Sequence, residues 1–173
     1  MVVKGFVLAG GQAARFGSNK ALHSVRGVPM VLWVVRALEG AGLDVQVVVR
    51  EPLLAELDLN LLQEPEMEGF HPLHGVQAAL KSLGPDEYAL LAPCDVPALQ
   101  SEAVEALLAV GGPAVAFDGE RLHPLVSLVP AAWLQTVEAL LRRGGAVQDL
   151  FSGVSRVLIE PDQLRNVNRV EDL

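Results

Sequence analysis

Three continuous apolar segments constrain what this chain can fold into more than any other feature. They run over Val2–Ala9, Val45–Val49 and Tyr88–Ala92, and they are largely apolar rather than alternating. Such segments are typical of strands that are buried on both faces of a sheet. Segments with helical spacing separate them, and this alternation favours parallel pairing. We therefore predict an α/β protein with a Rossmann-like, doubly wound, mainly parallel sheet and helices on both faces.

The other predicted elements continue this pattern. Helices are predicted at Pro29–Glu39, Leu53–Leu57, Leu73–Leu83, Ser101–Val110 and Ala131–Arg142, and further strands at Ala114–Phe117, Leu125–Val129 and Val154–Ile159. Ser101 is expected to be the N-cap of its helix, because a serine hydroxyl can accept a backbone N–H there. The turn-forming residues Asp118–Arg121 predict a short antiparallel excursion, which we expect at the edge of the sheet.

The composition limits the size, the partners and the location of the protein. With 173 residues, of which 51% are hydrophobic, the chain can form one well-packed domain. A formal net charge of −8 argues against nucleic acid and anionic membranes as partners. Cys94 is the only cysteine, which favours a cytoplasmic location. The longest apolar run, Val28–Val35, is too short to span a membrane, and the chain does not begin like a signal peptide.

The first strand leads directly into a glycine pair, Gly10 and Gly11, and the same loop contains Arg15 and Lys20. Glycine lets backbone amides approach a ligand closely, and amides at the end of a strand form an anion-binding site. The two cationic side chains would add the positive charge that phosphates require. The loop therefore predicts a site for a nucleoside triphosphate, and the alternative is a tight turn with two solvated cations. Its spacing matches neither the Walker A motif nor the dinucleotide-binding glycine pattern.

Asp95 follows the third apolar strand. Ligands of doubly wound sheets lie beyond the carboxyl ends of the strands, so Asp95 should share a crevice with the Gly10 loop. Arg50 and Asn166 are expected at the same crevice. One carboxylate, together with phosphate oxygens and water, is a usual set of ligands for Mg²⁺. Asp95 is thus a candidate metal ligand, and the alternative is a residue that caps a turn or a helix.

Cysteine and histidine residues near Asp95 have both a chemical and a structural interpretation. Cys94 could act as a nucleophile with His123 or His74 as its base, but we expect a small buried residue at a strand end. His71 and His74 have a spacing that suits zinc, but a third ligand is not evident. We expect instead that this segment leads through Gly75 into a helix whose first amides face a ligand.

Two asparagines, Asn166 and Asn168, lie close to the end of the chain. In an extended segment both side chains would face the same side, while Val167 would pack behind them. Their amides could then orient a heterocycle or reach a metal, and the alternative is a polar turn.

Four segments together resemble the MobA family, the molybdenum cofactor guanylyltransferases among the small nucleotidyltransferases. They are Leu8–Lys20, Pro93–Pro97, Asp118–Pro124 and Asn166–Asn168, and they extend in order over essentially the whole chain. The first is shared by many nucleotidyltransferases, whereas the last two are more specific to this family. The resemblance implies a single domain over residues 1–173, with a nucleotide-binding half at 1–100 and an acceptor-binding half at 101–173, both approximate. It also implies transfer of GMP from Mg·GTP to molybdenum-bound molybdopterin, with release of pyrophosphate.

The resemblance further implies roles for individual residues. The nucleotide would contact Leu8, Ala9, Gly10, Gly11, Lys20, Arg50, Glu64 and Asp95. The catalytic residues would be Arg15, Lys20 and Asp95: the two cationic side chains would neutralise the developing negative charge, and Asp95 would hold Mg²⁺ for the same purpose. The pterin acceptor would contact Arg121, His123, Asn166 and Asn168. GTP and molybdenum-bound molybdopterin are the expected partners, and client molybdoenzymes and other proteins of cofactor biosynthesis are further candidates.

The chain departs from the family pattern at a few positions. Asn19 replaces an Asp before the lysine, Arg50 stands where an Asn contact is expected, and Arg169 and Val170 replace a Thr-Pro pair. Glu64 replaces an Asp, but its carboxylate can still accept the N1 and N2 protons of guanine, which cytosine does not present. The rival functions are transfer from CTP to molybdopterin, transfer to a sugar phosphate, and a non-catalytic nucleotide or cofactor carrier.

Overall fold

The computed structural model of the protein describes residues 1–10, 20–51, 54–66 and 69–167. Its strands are β1 (Val2–Leu8), β2 (Ser24–Val25), β3 (Val28–Pro29), β4 (Val45–Val49), β5 (Leu61–Gln63), β6 (Glu87–Pro93), β7 (Ala114–Phe117), β8 (Leu122–Pro130) and β9 (Ser155–Leu158). Its α-helices are α1 (Met30–Gly40), α2 (Pro72–Lys81), α3 (Ser101–Leu108) and α4 (Leu134–Arg143). Single turns of 3-10 helix lie between several of these elements.

Within the described residues, one large sheet has the spatial strand order β5-β4-β1-β6-β8-β7-β9, and β2 pairs with β3 in a separate hairpin. Strands β5, β4, β1 and β6 pair in parallel, and so do β7 and β9. Only β8 runs antiparallel to its neighbours in this sheet, β6 and β7. The predicted mainly parallel sheet with an antiparallel excursion is therefore confirmed.

The expected position of the antiparallel excursion is wrong. We expected it at the sheet edge, but β8 lies inside the sheet, between β6 and β7. The apolar second half of β8 explains this position, because Val126, Leu128 and Val129 are buried and need cover on both sides. The edge is formed instead by β9, where Leu158 is 73% exposed.

Helices cover both faces of the sheet, as predicted. On one face, apolar side chains of α1 and α3, such as Val34 and Val104, belong to one core cluster. On the other face, side chains of α2 and α4, such as Val76 and Val137, belong to a second cluster. Burying one such side chain stabilises a fold by roughly 1.5–3 kcal/mol, so both faces of the sheet contribute substantially.

Three predicted details of the secondary structure are wrong. The predicted helix Leu53–Leu57 is, in its described part, only a turn of 3-10 helix at Ala55–Leu57, and the short strand β5 after it was not predicted. Three residues carry too little periodicity to reveal a strand. Ser101 is not an N-cap, because Gln100 occupies that position without a side-chain hydrogen bond. The Ser101 hydroxyl packs instead against Gly40, where an added Cβ would lie 2.2 Å from it.

The order of the strands defines where a ligand can bind. From β1 the chain moves outwards through β4 to β5, then returns with β6 to the other side of β1. Crevices form where successive connections diverge in this way, beyond the carboxyl ends of the strands. This switch point lies between Leu8 and Pro93, which are paired at the ends of β1 and β6. In the part of the chain that the structure describes, no helix is both long and apolar enough to cross a membrane.

Candidate active site

A cavity of about 420 Å³ lies at the switch point. Residues from the first and the second half of the chain line it, and Gly10, Asp95 and Asn166 share it, as the rule for doubly wound sheets predicted. Those on its lining are Leu8, Gly10, Lys20, Glu64, Asp95, Arg121, His123 and Asn166.

The other predicted site residues fall into two groups. Ala9 and Arg50 are not on the described lining, although Arg50 lies directly behind it, with Nε 3.9 Å from Oε2 of Glu64. The backbone N–H of Ala9 is used within the sheet, where it donates to the Val48 carbonyl. Gly11, Arg15 and Asn168 lie outside the described residues.

Asp95 is placed at the end of β6 with one carboxylate oxygen paired and one not. Its Oδ2 accepts a hydrogen bond from Nζ of Lys20 at 2.8 Å. Its Oδ1 is buried and has no hydrogen-bond partner among the described residues. An unpaired buried carboxylate oxygen costs free energy, and such an atom is commonly explained by a ligand or an ion. The donor set of one hard oxygen beside an anion-binding loop fits Mg²⁺.

The end of the described chain is tied to the same residue. The backbone N–H of Val167 donates to the backbone oxygen of Asp95 at 2.8 Å, and the Val167 side chain is buried. This contact places the exposed Asn166 beside the end of β6 and on the cavity lining. Packing of Val167 behind Asn166 agrees with the extended segment that the sequence suggested.

Glu64 is a buried carboxylate held between two glycines. An added Cβ at Gly10 would lie 2.3 Å from its Oε1, and one at Gly75 would lie 3.1 Å from the same atom. Both glycines therefore leave room for the carboxylate: a Cβ at Gly10 would force Oε1 to move, whereas one at Gly75 would only crowd it. Glu64 itself is held by its backbone N–H, which donates to the Val49 carbonyl at 2.7 Å.

Burial controls the charges around this carboxylate. Burial raises the pKa of Glu64 above its ordinary value of 4.5, and the nearby Arg50 opposes that shift. Burial also lowers the pKa of His74 below 6.5, with smaller contributions from His71 and Arg50. The neutral form of the His74 ring is favoured as a result, so this residue adds little positive charge to the site.

The structure decides the interpretation of the cysteine and of the two histidines. Cys94 is buried, and burial raises the pKa of its thiol to about 12, so the thiol stays protonated and is a poor nucleophile. His71 is the N-cap of α2: its Nδ1 accepts the Leu73 N–H at 3.1 Å, and its Nε2 lies 3.0 Å from the Gly145 carbonyl oxygen. Both ring nitrogens are thus in use, and the described residues contain no group of three or more potential metal-ligating side chains. Since α2 begins at Pro72, Gly75 lies inside its first turn rather than before the helix.

A turn between β7 and β8 forms the opposite wall of the cavity. Oδ1 of Asp118 accepts the backbone N–H groups of Glu120 and Arg121, both at 2.9 Å. Oδ2 of Asp118 lies 2.7 Å from Nε2 of His123 and 3.4 Å from Nε of Arg121. The hydrogen bonds from His123 and from the two backbone groups hold the pKa of the Asp118 carboxyl far below its usual range.

A bulge in β8 brings more of this wall into the cavity. The partner of Val115 on β8 is Ser127, but the partner of the next residue, Ala116, is His123. Residues 124–126 therefore leave the ladder, as expected around a proline that lacks an N–H to donate. The buried Ser127 hydroxyl donates to the Pro124 carbonyl at 2.8 Å and closes the bulge. The residues released from the ladder line the cavity.

Sequence reasoning missed several residues of the site. The cavity lining also includes Phe70, Leu125 and Val126, none of which the sequence singled out as a site residue. Phe70 is 42% exposed at this position, a feature that the sequence alone does not reveal. Asp118 was recognised as part of a turn and of the family segment Asp118–Pro124, but no role was predicted for its side chain, although an Asp-Gly turn between two strands is the signal of a hairpin in which residues five apart can meet.

The geometry is that of an enzyme site for phosphate transfer at the switch point of a doubly wound sheet. The family model of the MobA-like NTP transferase domain matches residues 5–160 of the chain. The chain belongs to this family, and its class is that of a nucleotidyltransferase.

Relatives with curated names agree with this assignment over nearly the whole chain. A protein of Opitutus terrae named probable molybdenum cofactor guanylyltransferase is 33% identical, and the match covers 97% of this chain and 91% of the relative. A protein of Methanothermobacter thermautotrophicus with the same name is 30% identical, with 96% and 95% covered. The crystal structure of molybdopterin-guanine dinucleotide biosynthesis protein A from Archaeoglobus fulgidus superimposes with a TM-score of 0.73 at 20% identity, and the match covers 98% and 94% of the two chains. The resemblance found in the sequence is thereby confirmed.

Proposed function

We propose that the protein transfers GMP from GTP to the terminal phosphate of molybdenum-bound molybdopterin and releases pyrophosphate. One observation carries this proposal: Asp95 presents a buried oxygen that has no hydrogen-bond partner among the described residues, beside Lys20 and in a cavity that continues to the β7–β8 turn. The cavity thus has a phosphate-binding end and a separate wall for an acceptor. The names of the relatives supply the particular nucleotide and acceptor.

The nucleotide half would use residues from the first half of the chain. The backbone around Gly10 and the side chain of Lys20 would bind the phosphates of GTP. Guanine presents two N–H donors on one edge, N1 and N2, and the two oxygens of an ionised Glu64 carboxylate can accept both. Arg50 beside Glu64 favours the ionised form against the effect of burial.

The carboxylate of Asp95 would hold Mg²⁺ through Oδ1, while Oδ2 keeps its hydrogen bond with Lys20. When bound, Mg²⁺ would reduce the negative charge of the triphosphate and of the leaving pyrophosphate. The described residues contain no group of three or more potential metal-ligating side chains, so phosphate oxygens and water would complete the coordination.

The reaction needs stabilisation of negative charge and alignment of the two phosphates, and it does not need a general base. An oxygen of the acceptor phosphate would form a bond to the α-phosphorus of GTP, and the bond from that phosphorus to the bridging oxygen would break. The acceptor phosphate is already ionised near neutral pH, so no proton has to be removed from it. Lys20 and the loop amides would stabilise the negative charge that develops, and a fixed cavity would keep the two anions in line.

The acceptor half would be formed by Arg121, His123 and Asn166, together with Asn168 outside the described residues. We also propose that residues 1–173 form one nucleotidyltransferase domain, since a single sheet runs through both halves. A cytoplasmic location and contacts with client molybdoenzymes remain predictions, based on the single cysteine and on the family.

Pyrophosphate release by the purified protein tests the proposal. The assay supplies Mg²⁺, each of the four nucleoside triphosphates in turn, and molybdopterin in its molybdenum-loaded form, with omission of the pterin as the control. We expect release with GTP that depends on the pterin. Release with CTP would keep the mechanism and overturn the guanine assignment, and GTP binding without any release would favour the non-catalytic carrier.

A further inference from the structure

One carboxylate oxygen at the β7–β8 turn contacts two nitrogen-bearing side chains of the cavity lining, Arg121 and His123. Oδ2 of Asp118 lies 2.7 Å from Nε2 of His123 and 3.4 Å from Nε of Arg121. Arg121 and His123 line the cavity, whereas Asp118 is not among the described lining residues. Asp118 therefore stands behind the wall and acts on the cavity only through its neighbours.

The hydrogen bond between Asp118 and His123 has a defined direction. The Asp118 carboxylate already accepts two backbone N–H groups with Oδ1, and the low pKa described above keeps it ionised. An ionised carboxylate can only accept, so Nε2 of His123 must carry a proton and donate it. Nδ1 is then the ring nitrogen that is left for a ligand, and its side of the ring is fixed by the anchor at Nε2.

The surroundings make this arrangement rigid. The side chains of His123 and Asp118 are 14% and 11% exposed, so water competes little for their hydrogen bond. His123 stands directly before the bulge of β8, and the Ser127 hydroxyl closes that bulge from inside the core. A ring held in this way on the cavity wall suits the placement of a ligand to within a fraction of an ångström.

We propose that Asp118 is a positioning residue for the acceptor, and that it holds the His123 ring so that Nδ1 binds the terminal phosphate of that acceptor. This inference rests on the proposed function and adds a residue to it. A protonated Nδ1 would donate to a phosphate dianion while Asp118 balances the charge of the ring from the other side. Hydrogen bonds between ionised groups are about twice as strong as those between neutral ones.

The phosphate-binding end of the cavity already has its own cation, Lys20, which pairs with Asp95. The anchored His123 would supply the corresponding contact for the second phosphate, on the part of the wall that the β7–β8 turn forms. The ligand class that this wall recognises is therefore a phosphate monoester, and the pterin is the part of the acceptor that needs other contacts.

Two substitutions distinguish the positioning role of Asp118 from the phosphate contact of His123. In Asp118→Asn, Oδ1 still accepts the backbone N–H groups of the turn, but the amide nitrogen cannot accept the proton of Nε2. In His123→Gln, the amide nitrogen can replace Nε2 as donor to Asp118, but nothing replaces Nδ1. Asp149→Asn is the matched control, because Asp149 likewise accepts a backbone N–H, that of Ala146 at 2.9 Å, and is not on the described cavity lining.

Steady-state transfer kinetics with GTP and molybdenum-loaded molybdopterin give the first readout. We expect the KM for the acceptor to rise about tenfold in Asp118→Asn and in His123→Gln, a usual size for the loss of a hydrogen bond to a charged group. The KM for GTP should stay within about twofold. The double variant should be no worse than His123→Gln alone, because Asp118 acts through His123. Asp149→Asn should match the wild type in both constants.

The nitrogen-15 NMR spectrum of the histidine rings gives a second readout that needs no substrate. The chain has 4 histidines, so the signals of His123 can be assigned by their absence in His123→Gln. We expect a protonated Nε2 in the wild type and a changed protonation pattern of the same ring in Asp118→Asn, with no change in Asp149→Asn.

Several results would overturn the inference. They are an unchanged acceptor KM in either single variant, equal rises in both KM values, additive losses in the double variant, and an unchanged ring spectrum in Asp118→Asn. Failure of the proposed function is distinguishable from these, because it would appear as absence of guanylyl transfer by the wild-type chain before any variant is compared.

Discussion

Two carboxylates of the same cavity region, Asp95 and Asp118, are treated in opposite ways by the fold. Asp95 ends a central parallel strand and keeps one buried oxygen without a hydrogen-bond partner among the described residues. Asp118 begins a hairpin turn, and both of its oxygens accept hydrogen bonds from that turn and from β8. The first carboxylate is prepared for a ligand, whereas the second orders its own surroundings.

The cause of this difference lies in the backbone. The end of a parallel strand leaves the switch point open, and the backbone groups there are used within the sheet, as for the Cys94 N–H that donates to the Leu8 carbonyl. A tight turn does the reverse, because it directs consecutive N–H groups towards one aspartate. A satisfied carboxylate is thus a structural element, and an unsatisfied one marks a place where the protein gives up stability for binding.

The largest expected effect comes from replacing the carboxylate of Asp95. In Asp95→Asn, the charge is lost and an amide can replace the unpaired oxygen, so we expect transfer to fall by about a thousandfold or more. The fold should survive, since the Asn side-chain oxygen can still accept the hydrogen bond from Lys20, although the ion pair is lost. Pyrophosphate release measures the first effect, and the affinity for Mn²⁺, followed by electron paramagnetic resonance, measures the metal site directly. Turnover and Mn²⁺ affinity close to wild type would show that Asp95 is no metal ligand.

A smaller effect is expected when an added side chain at position 10 displaces the Glu64 carboxylate in the nucleotide-binding half of the cavity. Alanine at position 10 would place its Cβ 2.3 Å from Oε1 of Glu64, and since this is the end of a flexible side chain, the carboxylate should give way while the fold survives. We expect GTP affinity to fall about tenfold or more in Gly10→Ala, the usual size of a lost contact to a charged group. Gly75→Ala, with its contact at 3.1 Å, should lose less.

Calorimetric titration with GTP measures these affinities. Gly112→Ala is the matched control, because an added Cβ there meets nothing within 4 Å. If Gly10→Ala and Gly112→Ala bound GTP equally well, the carboxylate of Glu64 would have no part in nucleotide binding.

The same contrast explains how much of the molecule the sequence could predict. The strands around the switch point are long apolar runs, so their existence, their parallel pairing and the position of Asp95 follow from hydrophobic pattern and from the general rule for doubly wound sheets. The hairpin was also recognisable, since Asp118-Gly119 lies between two apolar runs. Its insertion beside β6 depends on which strands compete for burial, and no local pattern carries that information.

The side-chain contacts inside the site could not be predicted from the sequence, for a related reason. The Glu64 carboxylate lies where Gly10 and Gly75, from two distant segments, leave room for it. The expected role of Ser101 failed similarly, because packing against Gly40 on another helix outweighed a local cap. Local propensity predicts elements well, whereas a site depends on atoms that the sequence places far apart.

A third effect concerns stability and should depend on pH. Burial raises the pKa of Glu64, so the unfolded chain ionises this group at a lower pH than the native state does. Its contribution to stability is therefore complete below pH 4.5, the ordinary value, and is lost as the pH rises through the native pKa. Glutamine does not ionise, so Glu64→Gln should be more stable than the wild type at pH 8, and this difference should disappear at pH 3.

Chemical denaturation at both pH values measures this difference. Glu66→Gln is the control, because Glu66 is exposed and lies two residues away. A wild type that equals or exceeds Glu64→Gln at pH 8 would mean that Arg50 outweighs burial at this carboxylate.

The smallest expected effect comes from Arg121→Ala, which tests whether burial or contact with Asp118 determines what a side chain contributes. Arg121 and His123 share Oδ2 of Asp118, but the Arg121 side chain is 78% exposed and the His123 side chain only 14%. An exposed ion pair contributes about 0–1 kcal/mol, so Arg121→Ala should leave the free energy of unfolding nearly unchanged and raise the acceptor KM only about twofold. At 1 M salt, where the screening length is about 3 Å, the change in KM should disappear, whereas that of His123→Gln should persist. Equal and equally salt-resistant losses in the two variants would mean that contact with Asp118, and not burial, determines what each cation contributes.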